Sequence, residues 1–259
     1  MLELLSVRHR GGIGYDMNYE IVIKRGTPDH AGEFEHFQID ADRDATVLWV
    51  LEQLNLRTPL CTIDGKKTDK IGWECGCKQA MCGACAMIIN GRPMLACKAF
   101  LTDLKNPVTL EPFRKFPLVH DLIVDKSILQ KHMMDMKLWI SDEQNKPADA
   151  KPAAGSLSET LYQSSACIQC GCCLEGCPNY SGIDEFYGAM MMNTAYQIAN
   201  REPEQIVVKK DIKEAKKHFA RGCSNSFACE TVCPVHVPLA YHISRLNSLA
   251  WKIAWKKLS

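Results

Sequence analysis

The stretch Cys167-Ile-Gln-Cys170-Gly-Cys-Cys173-Leu-Glu-Gly-Cys177-Pro178 decides how the second half of this chain folds. Its spacing, C-x2-C-x2-C-x3-C-P, is that of ligand runs that hold cubane iron–sulfur clusters. Three thiolates on a short coiled backbone can each reach a different iron of one cube. Cys177 cannot fold back to the same cube, because Pro178 redirects the chain, so the pattern predicts that Cys177 serves a second cluster.

A second cysteine run supplies the partners that this prediction requires. It reads Cys223-x5-Cys229-x3-Cys233-Pro234 and ends in the same C-x3-C-P pattern. The two runs therefore predict two interleaved ligand sets: Cys167, Cys170, Cys173 and Cys233 for one cluster, and Cys177, Cys223 and Cys229 for the other.

The alternative for such cysteines is zinc or a disulfide scaffold, since paired C-x2-C motifs also bind zinc. Zinc takes four thiolates, and two C-x3-C-P endings with interleaved partners are hard to explain on that basis. Ser226 stands where a regular second run would place its middle cysteine. We interpret it as a small residue beside an open cluster corner, with a serine ligand as the alternative, because a hydroxyl binds iron far more weakly than a thiolate.

A third motif lies in the first half of the chain. Cys77, Cys82 and Cys85, followed by Cys97, have the C-x4-C-x2-C…C spacing of plant-type [2Fe–2S] sites. We predict that these four cysteines hold a [2Fe–2S] cluster, with a hairpin through Asn90-Gly91 delivering the last of them. Three further cysteines fall outside these sets and are interpreted as packing residues: Cys61, Cys75 and Cys172. Of these, Cys75 lies two residues before Cys77 and could compete for the same iron.

Length and composition bound the remaining possibilities. The chain has 259 residues, enough for one large or two modest domains. The chain has 31 Lys and Arg residues and 30 Asp and Glu residues, so its net charge is close to zero. Nucleic acid is therefore not expected as a partner, because such partners require an excess of positive charge. Fourteen cysteines without a visible secretory signal favour a reducing compartment. No apolar run approaches the ~20 residues that span a bilayer.

The pattern along the chain is α+β. We expect an N-terminal extension over 1–16, a first domain over 17–118 and a second over 119–259, with a polar loop at 141–156. Apolar alternation predicts strands, and helical spacing predicts a helix from Ala45 capped by Asp44, followed by helices in the second half. The predicted strands are 19–25 and 34–40, and the predicted helices are 45–56, 122–140, 183–200, 203–219 and 239–258.

Three ligand sets in this order resemble the iron–sulfur subunit of succinate dehydrogenase and fumarate reductase. The resemblance covers roughly residues 17 to 250. The segments that carry it, besides the first cubane run, are Cys85-Ala-Met-Ile-Ile-Asn-Gly91, Leu95-Ala-Cys97 and Phe116-Pro-Leu-Val-His-Asp-Leu-Ile-Val-Asp125. The resemblance implies a β-grasp ferredoxin domain followed by an all-helical ferredoxin domain, with [2Fe–2S], [4Fe–4S] and [3Fe–4S] clusters, the last on Cys177, Cys223 and Cys229.

The resemblance also implies a role and partners. The chain would be a non-catalytic electron-transfer subunit with no acid, base or nucleophile of its own. It would link an FAD-containing flavoprotein to a membrane anchor, which can carry haem, where menaquinone or ubiquinone reacts. Such a subunit is a peripheral membrane protein on the cytoplasmic face, held there by the anchor.

Some positions depart from the family pattern. The Trp that often follows the Cys-Pro ending is absent, with Asn179-Tyr180-Ser181-Gly182 in its place, and the usual His after the first cysteine of the last motif is Ser224. The quinone vicinity is therefore predicted from Tyr180, Ser224 and His236, or from anchor residues. Two other functions stay open: a related flavoprotein reductase with a thiol or ferredoxin donor, and a free ferredoxin-like carrier.

Overall fold

The structure, a computed structural model, describes residues 17–30, 32–139, 156–183, 185–201, 218–219 and 222–256. The expected N-terminal extension at 1–16 lies outside these residues. So do the polar loop at 141–156, apart from Ser156, and nearly all of the helix predicted at 203–219.

The first half is built on a five-stranded sheet with the order β2-β1-β7-β5-β6. Strands β1 and β7 run parallel, and the other neighbouring pairs are antiparallel. Its strands are β1 (Met17–Lys24), β2 (Phe34–Ala41), β5 (Ala86–Ile89), β6 (Arg92–Leu95) and β7 (Val108–Glu111). Two small pairs complete the β-structure: β3 (Leu60–Cys61) with β4 (Lys67–Thr68), and β8 (Leu118–His120) with β9 (Ile123–Val124).

Helix α1 (Val47–Leu56) buries an apolar stripe against this sheet, as its helical spacing predicts. The predicted cap was wrong. Thr46, not Asp44, caps the helix, and its hydroxyl accepts a hydrogen bond from the Trp49 N–H at 3.2 Å. The helix cannot begin at Ala45, because Thr46 stays extended where it bridges to Phe100. A short 3-10 helix (Leu101–Asp103) follows that bridge.

The helix predicted from Leu122 begins later, at Ser127. A hairpin occupies the preceding residues, with Asp121 in its left-handed turn. The buried Asp121 carboxylate accepts from the N–H groups of Gly26 (3.1 Å) and Gly72 (2.8 Å) and pairs with Arg25 Nε at 3.0 Å. These contacts hold the segment in a turn and override its helical spacing.

The second half consists of helices in the residues described from Ser127 onward. They are α2 (Ser127–Asp135), α3 (Ser156–Ser165), α4 (Cys172–Glu175), α5 (Gly188–Arg201), α6 (Ala228–Thr231) and α7 (Leu239–Lys256). No helix in the described part of the chain is long and apolar enough to cross a bilayer.

A buried polar network ties three of these helices together. Asn193 of α5 accepts from the Ser164 hydroxyl of α3 at 2.8 Å and lies 2.7 Å from His242 Nδ1 of α7. Its amide donates to the Ser164 carbonyl at 3.0 Å. The His242 ring also stacks on Tyr196, with ring centroids 4.6 Å apart. The helices that surround the cysteine runs are thereby held in one arrangement.

Candidate metal centres

The loop from Cys77 to Cys85 curls around its own sulfur atoms. Lys78 and Ala80 adopt left-handed backbone conformations, with φ of 58° and 60°. Alternating conformations of this kind turn successive N–H groups inward, which creates a concave site for negative charge. The resulting hydrogen bonds run from Gln79 N to Cys77 Sγ (3.4 Å), from Ala80 N to Cys97 Sγ (3.2 Å) and from Met81 N to Cys77 Sγ (3.1 Å).

All four cysteines predicted for the [2Fe–2S] cluster meet at this loop. Cys77 N donates to Cys82 Sγ at 3.4 Å, and the Cys85 thiol is hydrogen-bonded to Cys97. The backbone N–H groups of Gln79 and Met81 lower the pKa of Cys77 to about 7, whereas burial raises that of Cys85 to about 12. Metal binds the thiolate form of cysteine. Cys77 therefore ionises readily near neutral pH, whereas Cys85 must release a proton when metal binds.

The first cubane set lines a pocket of its own. Its lining includes all four predicted ligands, Cys167, Cys170, Cys173 and Cys233, and is otherwise mainly apolar. Cys233 reaches this pocket although it belongs to the second run. The N–H of Val237 donates to Cys233 Sγ at 3.3 Å.

A separate pocket is lined by Ser226 and by the three cysteines of the second set, Cys177, Cys223 and Cys229. Burial and the charge of Cys177 raise the pKa of Cys229 to about 11. Among the described residues, no fourth thiol lines this pocket, and the Ser226 in its lining is exposed.

The donor chemistry of the three sites fits iron–sulfur clusters. Thiol sulfur dominates each donor set, and each of the two cubane sets lines a pocket of its own. In the described residues, no three His, Cys, Asp or Glu side chains are arranged to hold a single metal ion. The interleaving expected from the two runs is present in the geometry, while ligation itself stays a prediction.

The three cysteine sets lie in series. Gly83 of the first loop is so close to the first cubane run that a Cβ on it would lie 2.8 Å from Cys170 Cα. On the other side, Cys173 of the first cubane set is within electrostatic range of Cys229 of the second. The first cubane pocket is therefore the middle of the three sites.

Polar contacts fasten the sheet domain to the cubane runs. Lys98 Nζ donates to the Pro234 carbonyl at 2.7 Å. The Glu175 carboxylate accepts from the backbone N–H groups of Arg114 (3.1 Å) and Lys115 (3.2 Å). Lys115 Nζ in turn donates to the Cys177 carbonyl. The order of the three sites is thus fixed by contacts near the cysteines themselves.

The three remaining cysteines differ in their surroundings. Cys172 is buried and its thiol is hydrogen-bonded to Cys170, which lowers the pKa of Cys170 to about 7. Cys61 is half-buried in β3. Cys75 is exposed beside the first loop, so packing does not account for it.

The structure does not bring the three predicted quinone residues together. Ser224 lines the second cubane pocket and its hydroxyl donates to Asn179 Oδ1 at 2.6 Å. Tyr180 is 2% exposed, outside the lining of either cubane pocket, and its hydroxyl has no hydrogen-bond partner in the part of the chain that the structure describes. His236 is exposed, three residues after Cys233 of the first set.

Two features of the sites are missing from the sequence prediction. The inward-facing N–H groups depend on left-handed Lys78 and Ala80, residue types that give no signal for that conformation. The lysine at 126 lies near the first cubane pocket, where its charge acts on Cys170. The sequence alone gives no reason to associate Lys126, which lies before α2, with the cysteine run that begins at Cys167.

Comparisons with known proteins agree with this arrangement. A family model for a 2Fe-2S iron-sulfur cluster binding domain matches residues 20–131, and one for a 4Fe-4S dicluster domain matches residues 163–237. The succinate dehydrogenase iron-sulfur subunit of Bacillus subtilis is 31% identical over 230 residues, covering 88% of this chain and 90% of that protein. The fumarate reductase iron-sulfur subunit of Mycobacterium tuberculosis is 32% identical over 244 residues, covering 92% and 94%.

A solved structure shares the fold. A chain of the Mycobacterium smegmatis Sdh1 complex in the apo form superposes with a TM-score of 0.77 at 20% identity, covering 95% of this chain and 99% of that one. The sequence relatives span nearly the whole chain and match both of its cluster domains. The chain therefore belongs to the family of succinate dehydrogenase and fumarate reductase iron–sulfur subunits, the electron-transfer subunits of these oxidoreductases.

Proposed function

We propose that this chain relays single electrons through three clusters, between an FAD-containing flavoprotein subunit and a quinone at a membrane anchor. The observation that carries the proposal is the serial order of the cysteine sets, with Gly83 against Cys170 on one side and Cys173 near Cys229 on the other. A relay needs neighbouring centres in sequence, and this order supports one that begins at the sheet domain and ends at the second cubane pocket.

The proposed ligands follow the three sets. A [2Fe–2S] cluster would bind Cys77, Cys82, Cys85 and Cys97; a [4Fe–4S] cluster Cys167, Cys170, Cys173 and Cys233; and a [3Fe–4S] cluster Cys177, Cys223 and Cys229. Iron–sulfur clusters supply one-electron chemistry at potentials set by cluster type, charge and surrounding hydrogen bonds. The protein's part is to hold the sulfurs, neutralise charge with N–H groups and exclude water.

The three-iron assignment rests on the donor count of the second pocket. It offers three thiols, with Ser226 where a fourth would stand. A neutral hydroxyl is a weak ligand for iron, so this corner favours a cluster with one iron fewer.

The quinone end is proposed beside the second pocket. Ser224 and Asn179 supply polar groups there, and the neighbouring Phe227 is 56% exposed. Of the three residues suggested by the sequence, Ser224 has the best-supported position, since Tyr180 is buried and His236 follows the first set. An anchor subunit covering this side would hold the chain at the cytoplasmic face of the membrane with menaquinone or ubiquinone.

We further propose that the two ferredoxin units of the family are present here, a β-grasp domain over 17–118 and a helical domain over 119–259. The five-stranded sheet with α1 supports the first, and helices α2 to α7 support the second.

Affinity purification of the native complex through this chain tests the proposal. We expect an FAD-containing subunit and a membrane subunit to co-purify with succinate- or fumarate-linked quinone activity. Cys61→Ala is the control variant, because Cys61 lies in β3, outside the three sets, and should retain full activity. A thiol-active partner in place of the anchor would instead support a thiol-linked reductase, and recovery of this chain alone would support a free carrier.

A further inference from the structure

The lysine directly before α2 is held in an unusual position for a charged side chain. Lys126 is half-buried, and its Nζ lies 5.6 Å from the centroid of the Phe113 ring. No carboxylate pairs with it among the residues that the structure describes. The neighbouring Asp125 instead accepts a hydrogen bond from the Ser127 N–H at 2.8 Å. The ammonium charge is therefore held by an aromatic face and left uncompensated by an ion pair.

Phe113 lies between Lys126 and the first cubane run. A Cβ on Gly171 would lie 3.4 Å from Phe113 Cε2, so the ring packs directly on the residue that follows Cys170. The side chain of Lys126 thus reaches the protein wall behind the first pocket, on the side formed by the 170–172 loop.

Cys170 and Gly171 both line the first cubane pocket. The Phe113 ring, with the ammonium group of Lys126 over it, therefore lies behind the part of the pocket wall that would hold one corner of the cluster.

We propose that Lys126 is a positioning charge that raises the reduction potential of the cluster held at the first cubane pocket. The inference rests on the proposed ligand set of that cluster. Reduction would add one negative charge to a cluster that four thiolates would already bind. A fixed cation nearby therefore stabilises the reduced form more than the oxidised form, and the half-buried site limits screening by solvent.

The test is a redox titration of the purified complex followed by electron paramagnetic resonance. Lys126→Met keeps an apolar stem over Phe113 and removes the charge, whereas Lys126→Arg keeps the charge. Lys131→Met is the matched control, because Lys131 is an exposed lysine on α2, five residues after Lys126. At a fixed potential, Lys126→Met should lower the ratio of reduced to oxidised first cluster by about tenfold, which is about 59 mV for a one-electron couple.

Lys126→Arg and Lys131→Met should leave this ratio near the unmodified value, and the other two clusters should not shift in any variant. An unchanged ratio in Lys126→Met with the cluster intact would overturn the inference and leave the proposed function standing. If Lys126→Met does not retain the cluster, Lys126→Gln provides the same comparison. Absence of a four-iron cluster from the unmodified complex would instead overturn the proposed function, and with it this inference.

Discussion

Replacing Gly83 by alanine tests whether the [2Fe–2S] loop and the first cubane run are packed against each other. Gly83 has φ of +75°, and a Cβ there would lie 2.8 Å from Cys170 Cα and 3.0 Å from the Ile168 carbonyl oxygen. These are backbone atoms, so the clash cannot be relieved by a side-chain rotation. The two loops must move apart.

The loss in free energy of unfolding in Gly83→Ala has two parts, which a control variant separates. An alanine at positive φ costs about 1–2 kcal/mol, because its Cβ approaches the following carbonyl. Gly91 has φ of +76° with nothing within 4 Å of its would-be Cβ, so Gly91→Ala should show this part alone. Gly83→Ala adds overpacking, about 1–3 kcal/mol more.

Thermal unfolding of the cluster-loaded protein, followed by cluster absorption, measures the difference. Since 1 kcal/mol shifts Tm by roughly 2–4 °C in a chain of this size, Gly83→Ala should melt about 2 to 12 °C below Gly91→Ala. Electron transfer from the [2Fe–2S] cluster to the first cubane cluster should also slow in Gly83→Ala and not in Gly91→Ala. Equal melting temperatures and equal transfer rates would refute the contact between the loops.

Four further predictions follow from single residues. Cys233→Ala should remove the four-iron cluster of the first set, measured by electron paramagnetic resonance, and retention of that cluster with loss of the other would reverse the interleaving. Ser226→Cys should convert the three-iron cluster to a four-iron cluster, lower its potential and slow quinone-linked turnover; an unchanged low-field signal would contradict this. Tyr180→Phe removes a buried hydroxyl that has no partner among the described residues, so Tm and quinone-linked turnover should not fall, and a large loss of either would contradict its placement. Burial lowers the pKa of His242 in the folded chain below its usual 6.5. The unfolded chain therefore binds more protons than the folded chain, and the free energy of unfolding falls as the pH drops below about 6.5. His242→Gln should weaken this pH dependence in thermal melts from pH 7 to 5.

The sequence was enough to group the cysteines into three predicted ligand sets, because cluster spacing constrains ligands so tightly that few arrangements are possible. The grouping of Cys233 with the first run follows from the reciprocal endings, and the structure brings it to the first pocket. The two main strands were also predictable, since Phe37 and Ile39 alternate with polar residues and are buried in β2.

The errors arose where tertiary contacts override local pattern. Asp121 is bound by two backbone N–H groups and Arg25, and this holds a hairpin where the spacing predicts a helix. Thr46 caps α1 because a bridge to Phe100 keeps it extended. The position of Lys126 depends on the packing of Phe113 against Gly171, which joins distant parts of the chain. No local pattern contains that information.

Stepwise reduction of the purified complex under electron paramagnetic resonance tests whether this chain holds three different clusters in series. We expect three distinct centres. The air-oxidised complex should show the low-field signal of a three-iron cluster, which mild reduction removes; a [2Fe–2S] signal and a four-iron signal should then appear as the potential is lowered. Two four-iron clusters in the untreated complex, or zinc in place of iron at either cubane set, would contradict the series of three clusters.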